Sequence, residues 1–192
     1  MNKETINPHT KKSSSPAEES FGVGIKKWLW DWSETIVVAL ALALIIRAFF
    51  LQVFWIPSGS MEPGLKLYDR LVVNKFIYHF KEPRRMDVIV FKYPKDTSKD
   101  FIKRIVGLPG EKLMVRNGVI HINGQPIEEN HPMNKDLSDF GPVEIPADSY
   151  FAMGDNRPYS ADSRIWGFVP RKNIYGPAFL KIWPIWQLGF VK

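Results

Sequence analysis

The chain of 192 residues carries 26 Lys and Arg against 20 Asp and Glu, a formal charge of +6, and no cysteine. That composition excludes a disulfide framework, a thiolate metal site and a cysteine nucleophile, and the length leaves room for one sizeable domain beside a membrane segment and a tail. The positive balance suits phospholipid headgroups, while the dispersal of basic among acidic residues and the lack of a nucleic-acid motif argue against nucleic acid as a partner.

Residues 1–24 are polar and poor in large apolar side chains, with Lys11-Lys12-Ser13-Ser14-Ser15-Pro16 at their centre, and read as a disordered tail. Residues 25–54 read as a membrane-entry segment followed by a single transmembrane helix. The entry is basic and tryptophan-rich at Lys26-Lys27-Trp28-Leu29-Trp30, and from Thr35 to Ile56 polar side chains interrupt the apolar run only at Arg47 and Gln52. That length spans a ~30 Å hydrocarbon core, and Arg47 can snorkel to the far interface. The alternating Ala39, Ala41 and Ala43 lie inside the run rather than after it, so an uncleaved anchor is favoured over a secretory signal. Phe54, Trp55 and Met61 are expected either to dip into lipid or to pack the base of the following domain.

Residues 55–192 read as a β-rich catalytic domain. They open on Ile56-Pro57-Ser58-Gly59-Ser60-Met61-Glu62-Pro63, which suits either an ordinary turn or a displayed serine nucleophile. Strands are expected over residues 70–76, 87–91, 101–106, 112–116, 119–122 and 149–153, with Asn117-Gly118 as a two-residue hairpin turn. Residues 128–142 read as a polar surface excursion, and Arg171-Lys172-Asn173 after Pro170 as one helical turn.

A serine nucleophile needs a base. The four histidines, His9, His79, His121 and His131, sit in tail, polar or strand contexts that suggest no Ser-His-Asp triad. Lys103 shares one face of its strand with Phe101 and Ile105, where burial would depress its pKa and leave a neutral amine able to take a proton; the alternative is a lysine on the wet face of an edge strand. The stretch from Gly154 to Gly167 gathers two Asp, two Arg and several hydroxyls, reading either as a solvated connection or as a network that holds other residues in place.

Together these stretches resemble the type I signal peptidase family of membrane-bound serine proteases. The likeness rests on Ile56 to Pro63 after an apolar segment, Asp69 to Phe76, Phe101 to Gly110, and Gly154-Asp155-Asn156-Arg157 followed by Ser160, Asp162-Ser163-Arg164 and Trp166-Gly167. The resemblance implies a mostly β fold, a coiled antiparallel β-sheet domain of the signal peptidase and LexA-like kind, after a single N-terminal transmembrane helix. It implies Ser60 as nucleophile, Lys103 as general base, Ser58 with the Ser60 amide as oxyanion hole, and Ser160 as the hydroxyl orienting the lysine. Asp155, Asp162, Arg164 and Arg104 would form a supporting ion-pair network, with no metal and no cofactor. The implied activity is removal of N-terminal signal peptides from exported preproteins, after small residues at the first and third positions before the cut. Implied partners are preprotein signal peptides, the bilayer and the secretion machinery. The implied location is the plasma membrane, with the N-terminus cytoplasmic and the catalytic domain outside; a thylakoid membrane is the alternative.

Several positions depart from the family pattern. Tyr68 and Met86 stand where glycines are usual before Asp69 and Asp87, Gly64 replaces a threonine, and Pro158-Tyr159 replaces the Asp-Asn pair before Ser160. Two rivals remain: another Ser/Lys protease, such as a self-cleaving regulator, and a membrane-tethered β-domain that binds lipid or protein without catalysis. The apolar segment and the Gly154 to Gly167 stretch argue against the first.

Overall fold

A computed structural model describes residues 30, 32–45 and 50–191, in two units that divide after residue 45. The expected tail and the snorkelling Arg47 lie outside the described residues. In the first unit residues 32–45 form a helix, α1, whose apolar side chains, among them Ile36, Val37, Leu40 and Leu44, are exposed. Among the described residues no helix is long and apolar enough to cross a membrane.

The second unit begins with a correction to the sequence reading. Leu51–Trp55, taken there as the end of the membrane helix, is strand β1. Its side chains alternate, Phe54 turned toward the core while Val53 and Trp55 are exposed. An apolar run has no period that separates helix from strand; here a partner strand settled the matter, since β1 pairs along its whole length with β2, Arg70–Asn74.

The remaining strands follow as antiparallel elements. They are β3 (Val88–Lys92), β4 (Asp100–Gly107), β5 (Lys112–Arg116), β6 (Val119–Ile122), β7 (Gln125–Pro126), β8 (Phe140–Glu144), β9 (Ser149–Met153), β10 (Val169–Pro170), β11 (Ile174–Trp183) and β12 (Gly189–Phe190). The larger sheet runs in the order β1-β2-β11-β3-β4-β9-β10, with β12 paired to β11, and the smaller in the order β7-β6-β5-β8. Asn117 and Gly118 both take positive φ at the β5/β6 turn, as the Asn-Gly pair requires. Arg171–Asn173 forms the expected single turn, of 3-10 type. A short helix, α2 (Ser163–Trp166), is capped by the Asp162 carboxylate, which accepts from the Arg164 amide. The expected excursion over residues 128–142 ends in a strand rather than a loop, because Phe140–Glu144 pairs with β5.

Three apolar clusters fill the interior, and β4 feeds all of them. Ile102 packs with Ile56, Met61 and Leu71, while Ile105 and the partly buried Phe101 pack with Ile89, Phe91 and Trp166. Val106 joins Leu113, Ile120 and Phe151. This strand lies between β3 and β9, so it is interior to the sheet, not an edge.

Tyr68 and Met86 both adopt left-handed backbone, with φ of 67° and 73°. The two glycines of the family pattern would occupy that region without Cβ strain. Both amides are bonded nonetheless, Tyr68 to the Ile56 carbonyl and Met86 to that of Ile105, so neighbouring strands hold the conformation.

Candidate active site

Ser60 stands at the centre of a 3-10 turn, Gly59–Met61, entered from the extended Ser58. Met61, fully buried against Ile56 and Leu65, pins the turn to the core, which selects packing over lipid contact for that side chain. Buried Ser60 faces β4, where Lys103 is only 4% exposed.

The Lys103 Nζ is 2.7 Å from Ser60 Oγ and donates at 2.9 Å to the Ile102 carbonyl. Burial lowers the ammonium pKa to about 8, against the opposing pull of the Asp162 and Asp155 carboxylates. At pH 7 about a tenth of the amine is then neutral, with its lone pair within reach of the serine proton, far more than for an ordinary lysine. The Ser58 hydroxyl donates to Ser60 Oγ at 3.3 Å.

Ser160 is buried close by, yet its Oγ makes no hydrogen bond among the described residues, to Lys103 or to any other group. It abuts Gly154 so closely that a Cβ built there would come within 2.2 Å of Ser160 Oγ and 2.4 Å of the Ser60 carbonyl oxygen. Only a glycine lets these two segments approach.

The predicted charged residues separate into two clusters. Arg104, on the opposite face of β4 from Lys103, grips both oxygens of Asp155 at 2.9 and 2.7 Å, in a pair with 3% and 1% side-chain exposure. Burial raises the Asp155 pKa, but the two hydrogen bonds from the Arg104 guanidinium, with His131 close by, outweigh it and hold the carboxyl below its usual range. Asp162, wholly buried, accepts from the Gly154 amide at 3.1 Å and from Arg164 Nε at 2.9 Å, and Arg164 reaches on to Asp136 at 3.0 Å.

Two contributors escaped the sequence reading. Asn156 donates its amide to the Ser60 carbonyl and its side-chain Nδ2 to the Gly59 carbonyl, each at 3.0 Å, tying the Ser60 turn to the Gly154 loop. The only sequence signal for it was its place in the Gly-Asp-Asn-Arg stretch. His131, expected at the surface, has a side chain only 4% exposed. Its polar neighbours in sequence concealed a burial created by contacts far along the chain.

Two adjoining clefts open at the site. One, of about 440 Å³, is lined by Ser58, Ser60, Lys103, Tyr159 and Ala161, among others. Its neighbour, of about 360 Å³, is lined by Phe54, Trp55, Ile56, Leu71 and Val90, among others, with Pro57, Asp100, Phe101 and Ile102 shared between the two. Among the described residues no group of His, Asp and Glu side chains is arranged to hold a metal.

The sequence profile described as "Signal peptidase, peptidase S26" matches residues 29–183. A signal peptidase I of Leptolyngbya laminosa is 46% identical over 169 residues, covering 84% of this chain and 83% of its own. A probable signal peptidase I-2 of Synechocystis is 39% identical over 197 residues, covering the whole of this chain and 86% of its own. A solved signal peptidase I from Enterococcus faecalis is 34% identical, covers 50% of this chain and 97% of its own, and superposes with a TM-score of 0.44. A profile match over most of the length, together with relatives matched over most of theirs, means that this chain belongs to the signal peptidase family, peptidase S26, whose members are serine peptidases.

Proposed function

We propose that the chain cleaves signal peptides from membrane-inserted preproteins with Ser60 as nucleophile and Lys103 as general base. The observation that carries the reading is the 2.7 Å approach of a buried lysine, its pKa lowered to about 8, to a serine in an open cleft. Neutral Lys103 takes the Ser60 proton as Oγ adds to the scissile carbonyl. The Ser60 amide and the Ser58 hydroxyl stabilise the resulting oxyanion, at about 3 to 4 kcal/mol per donor. Collapse of the intermediate breaks the C–N bond, Lys103 returns its proton to the leaving amine, and water hydrolyses the acyl-Ser60 ester by the same relay. Ser160, buried beside Ser60 and without a hydrogen bond, is suited to accept from the lysine once substrate excludes water. Arg104, Asp155, Asp162 and Arg164 support the loop that carries Ser160.

The preference for small side chains at the first and third positions before the cut is carried by the family resemblance, and the two clefts offer places for them. They adjoin one another, are largely apolar, and would take alternate residues of an extended peptide. The bilayer is the second partner, with the N-terminus inside and the catalytic domain outside. Its support is the apolar run in the sequence, the exposed apolar α1, and an aromatic end of the larger sheet, where Trp55 and Trp183 both pair with Arg70 and Trp186 is 80% exposed. The secretion machinery would deliver the substrate.

Ser60→Ala and Lys103→Ala, assayed separately on a purified preprotein in lipid vesicles, test the dyad. Each variant is expected to lose cleavage by at least about 1000-fold; wild-type cleavage by either one removes the assignment.

A further inference from the structure

The residue that neither the dyad nor the family pattern accounts for is His131. Its ring is nearly enclosed, with Nε2 3.3 Å from Asp155 Oδ1 and 3.9 Å from Glu129 Oε1. The approach to Asp155 is off the line of a hydrogen bond, and Nε2 makes none among the described residues. Each carboxylate is already held by a guanidinium, Asp155 by Arg104 and Glu129 by Arg157, the latter through a bond of 3.1 Å from Nη1 and a closer one from Nη2. The imidazole therefore lies between two buried ion pairs. A buried polar nitrogen without a hydrogen bond is costly, and the nearest group able to offset that cost is the Asp155 carboxylate.

The backbone around His131 leads to the nucleophile. Asn134 donates its amide to the Asp155 carbonyl at 2.9 Å and accepts from the Arg157 amide at 3.0 Å. Its side chain donates to Asn156 Oδ1 at 3.2 Å, and Met133 bridges to Pro63, just past the Ser60 turn. The segment from Glu129 to Asn134 is thus strapped along the loop whose Asn156 binds the carbonyls of Gly59 and Ser60. His131 is the side chain through which this strap engages Asp155, the residue next to Asn156.

We propose that His131 is a positioning residue for the Ser60 turn, fixing the 129–134 strap against Asp155 so that Asn156 holds Ser60 in line with Lys103. This rests on the reading of Ser60 as nucleophile. His131 touches neither substrate nor reacting atoms, so its removal acts on turnover. Loosening the strap lets the Ser60 turn drift, and a shift of about 1 Å at a reacting atom costs about 100-fold in rate; a turn still pinned by Met61 moves less. Gln at this position carries an amide nitrogen at about the reach of Nε2, Leu fills the space without one, and Asn falls short by one bond.

The test measures kcat and KM of the full-length protein in lipid vesicles on a purified preprotein. His131→Leu is expected to lower kcat about 10-fold with KM within about twofold of wild type, and His131→Gln to recover kcat to within about threefold. His131→Asn is expected to match the Leu variant, and replaces it if that variant fails to accumulate. Undiminished kcat in both the Leu and the Asn variant overturns the inference, as does a loss carried by KM or one that Gln fails to recover. Ser60→Ala in the same assay separates the two readings, because retained cleavage there removes the nucleophile itself, and with it the site that His131 is inferred to position.

Discussion

Lys103 balances two opposing forces. Burial in β4 expels its charge, while Asp162 and Asp155 favour keeping it, and the outcome is a pKa of about 8 rather than 10.5. With the neutral amine as the proposed base, kcat/KM is expected to rise about tenfold per pH unit below about 8 and to level off above it. A limb centred near the ordinary lysine value in a pH–rate profile would contradict this. The Arg104–Asp155 pair does different work, joining the back of β4 to the Gly154 loop with almost no solvent access. Arg104→Met leaves a buried carboxylate without its main partner, so a loss of about 3 to 5 kcal/mol is expected, read as a fall in the denaturation midpoint. Roles of this kind were partly legible in the sequence, where Lys103 stood among apolar neighbours and acidic and basic residues crowded one short stretch. Which carboxylate pairs with which guanidinium was not, since Arg104 and Asp155 are neighbours only because β4 pairs with β9.

Among the elements, the Gly154 loop and the Ser60 turn are the tightest fit. A methyl at Gly154 would strike Ser160 Oγ and the Ser60 carbonyl at once. Gly154→Ala is accordingly expected to lower cleavage at least about 100-fold by displacing Ser60, the proposed nucleophile, with circular dichroism showing the strands retained. Left-handed Met86 offers the opposite case, a strained residue outside the proposed dyad. Met86→Gly is expected to raise stability by about 0.5 to 1 kcal/mol, the relief of Cβ strain exceeding the added freedom of the unfolded chain, as a denaturant titration would measure. Strands with β-branched residues and clear turn signals could be read from the sequence, β2 to β6 and β9 among them. Neither β1 nor β11 could: the first continues an apolar run, and the second carries Gly176-Pro177 in its middle, a pair that normally breaks a strand. The close approach of Gly176 to the Asn74 carbonyl explains why no side chain fits there.

At the scale of the whole molecule, residues 46–192 hold the three apolar clusters and both members of the proposed dyad, whereas α1 belongs to a separate unit. Deleting residues 1–45 is therefore expected to leave cleavage of a short soluble peptide within about threefold. Processing of a preprotein in vesicles should fall at least about 10-fold, because the proposed membrane tether would supply effective concentration and not chemistry. Equal losses on both substrates would contradict that division.

The sequence by itself determined the family, the mostly β character of the domain and the residue types available for catalysis, because strand periodicity, turn chemistry and the spacing of short motifs are local properties. Only the tertiary structure decided that Leu51–Trp55 is a strand, that β11 joins β2 to β3, and that His131 is buried between two carboxylates. Those outcomes depend on hydrogen bonds and burial between residues tens of positions apart, which no local pattern encodes. The approach of Lys103 to Ser60, spanning 43 positions, is of the same kind.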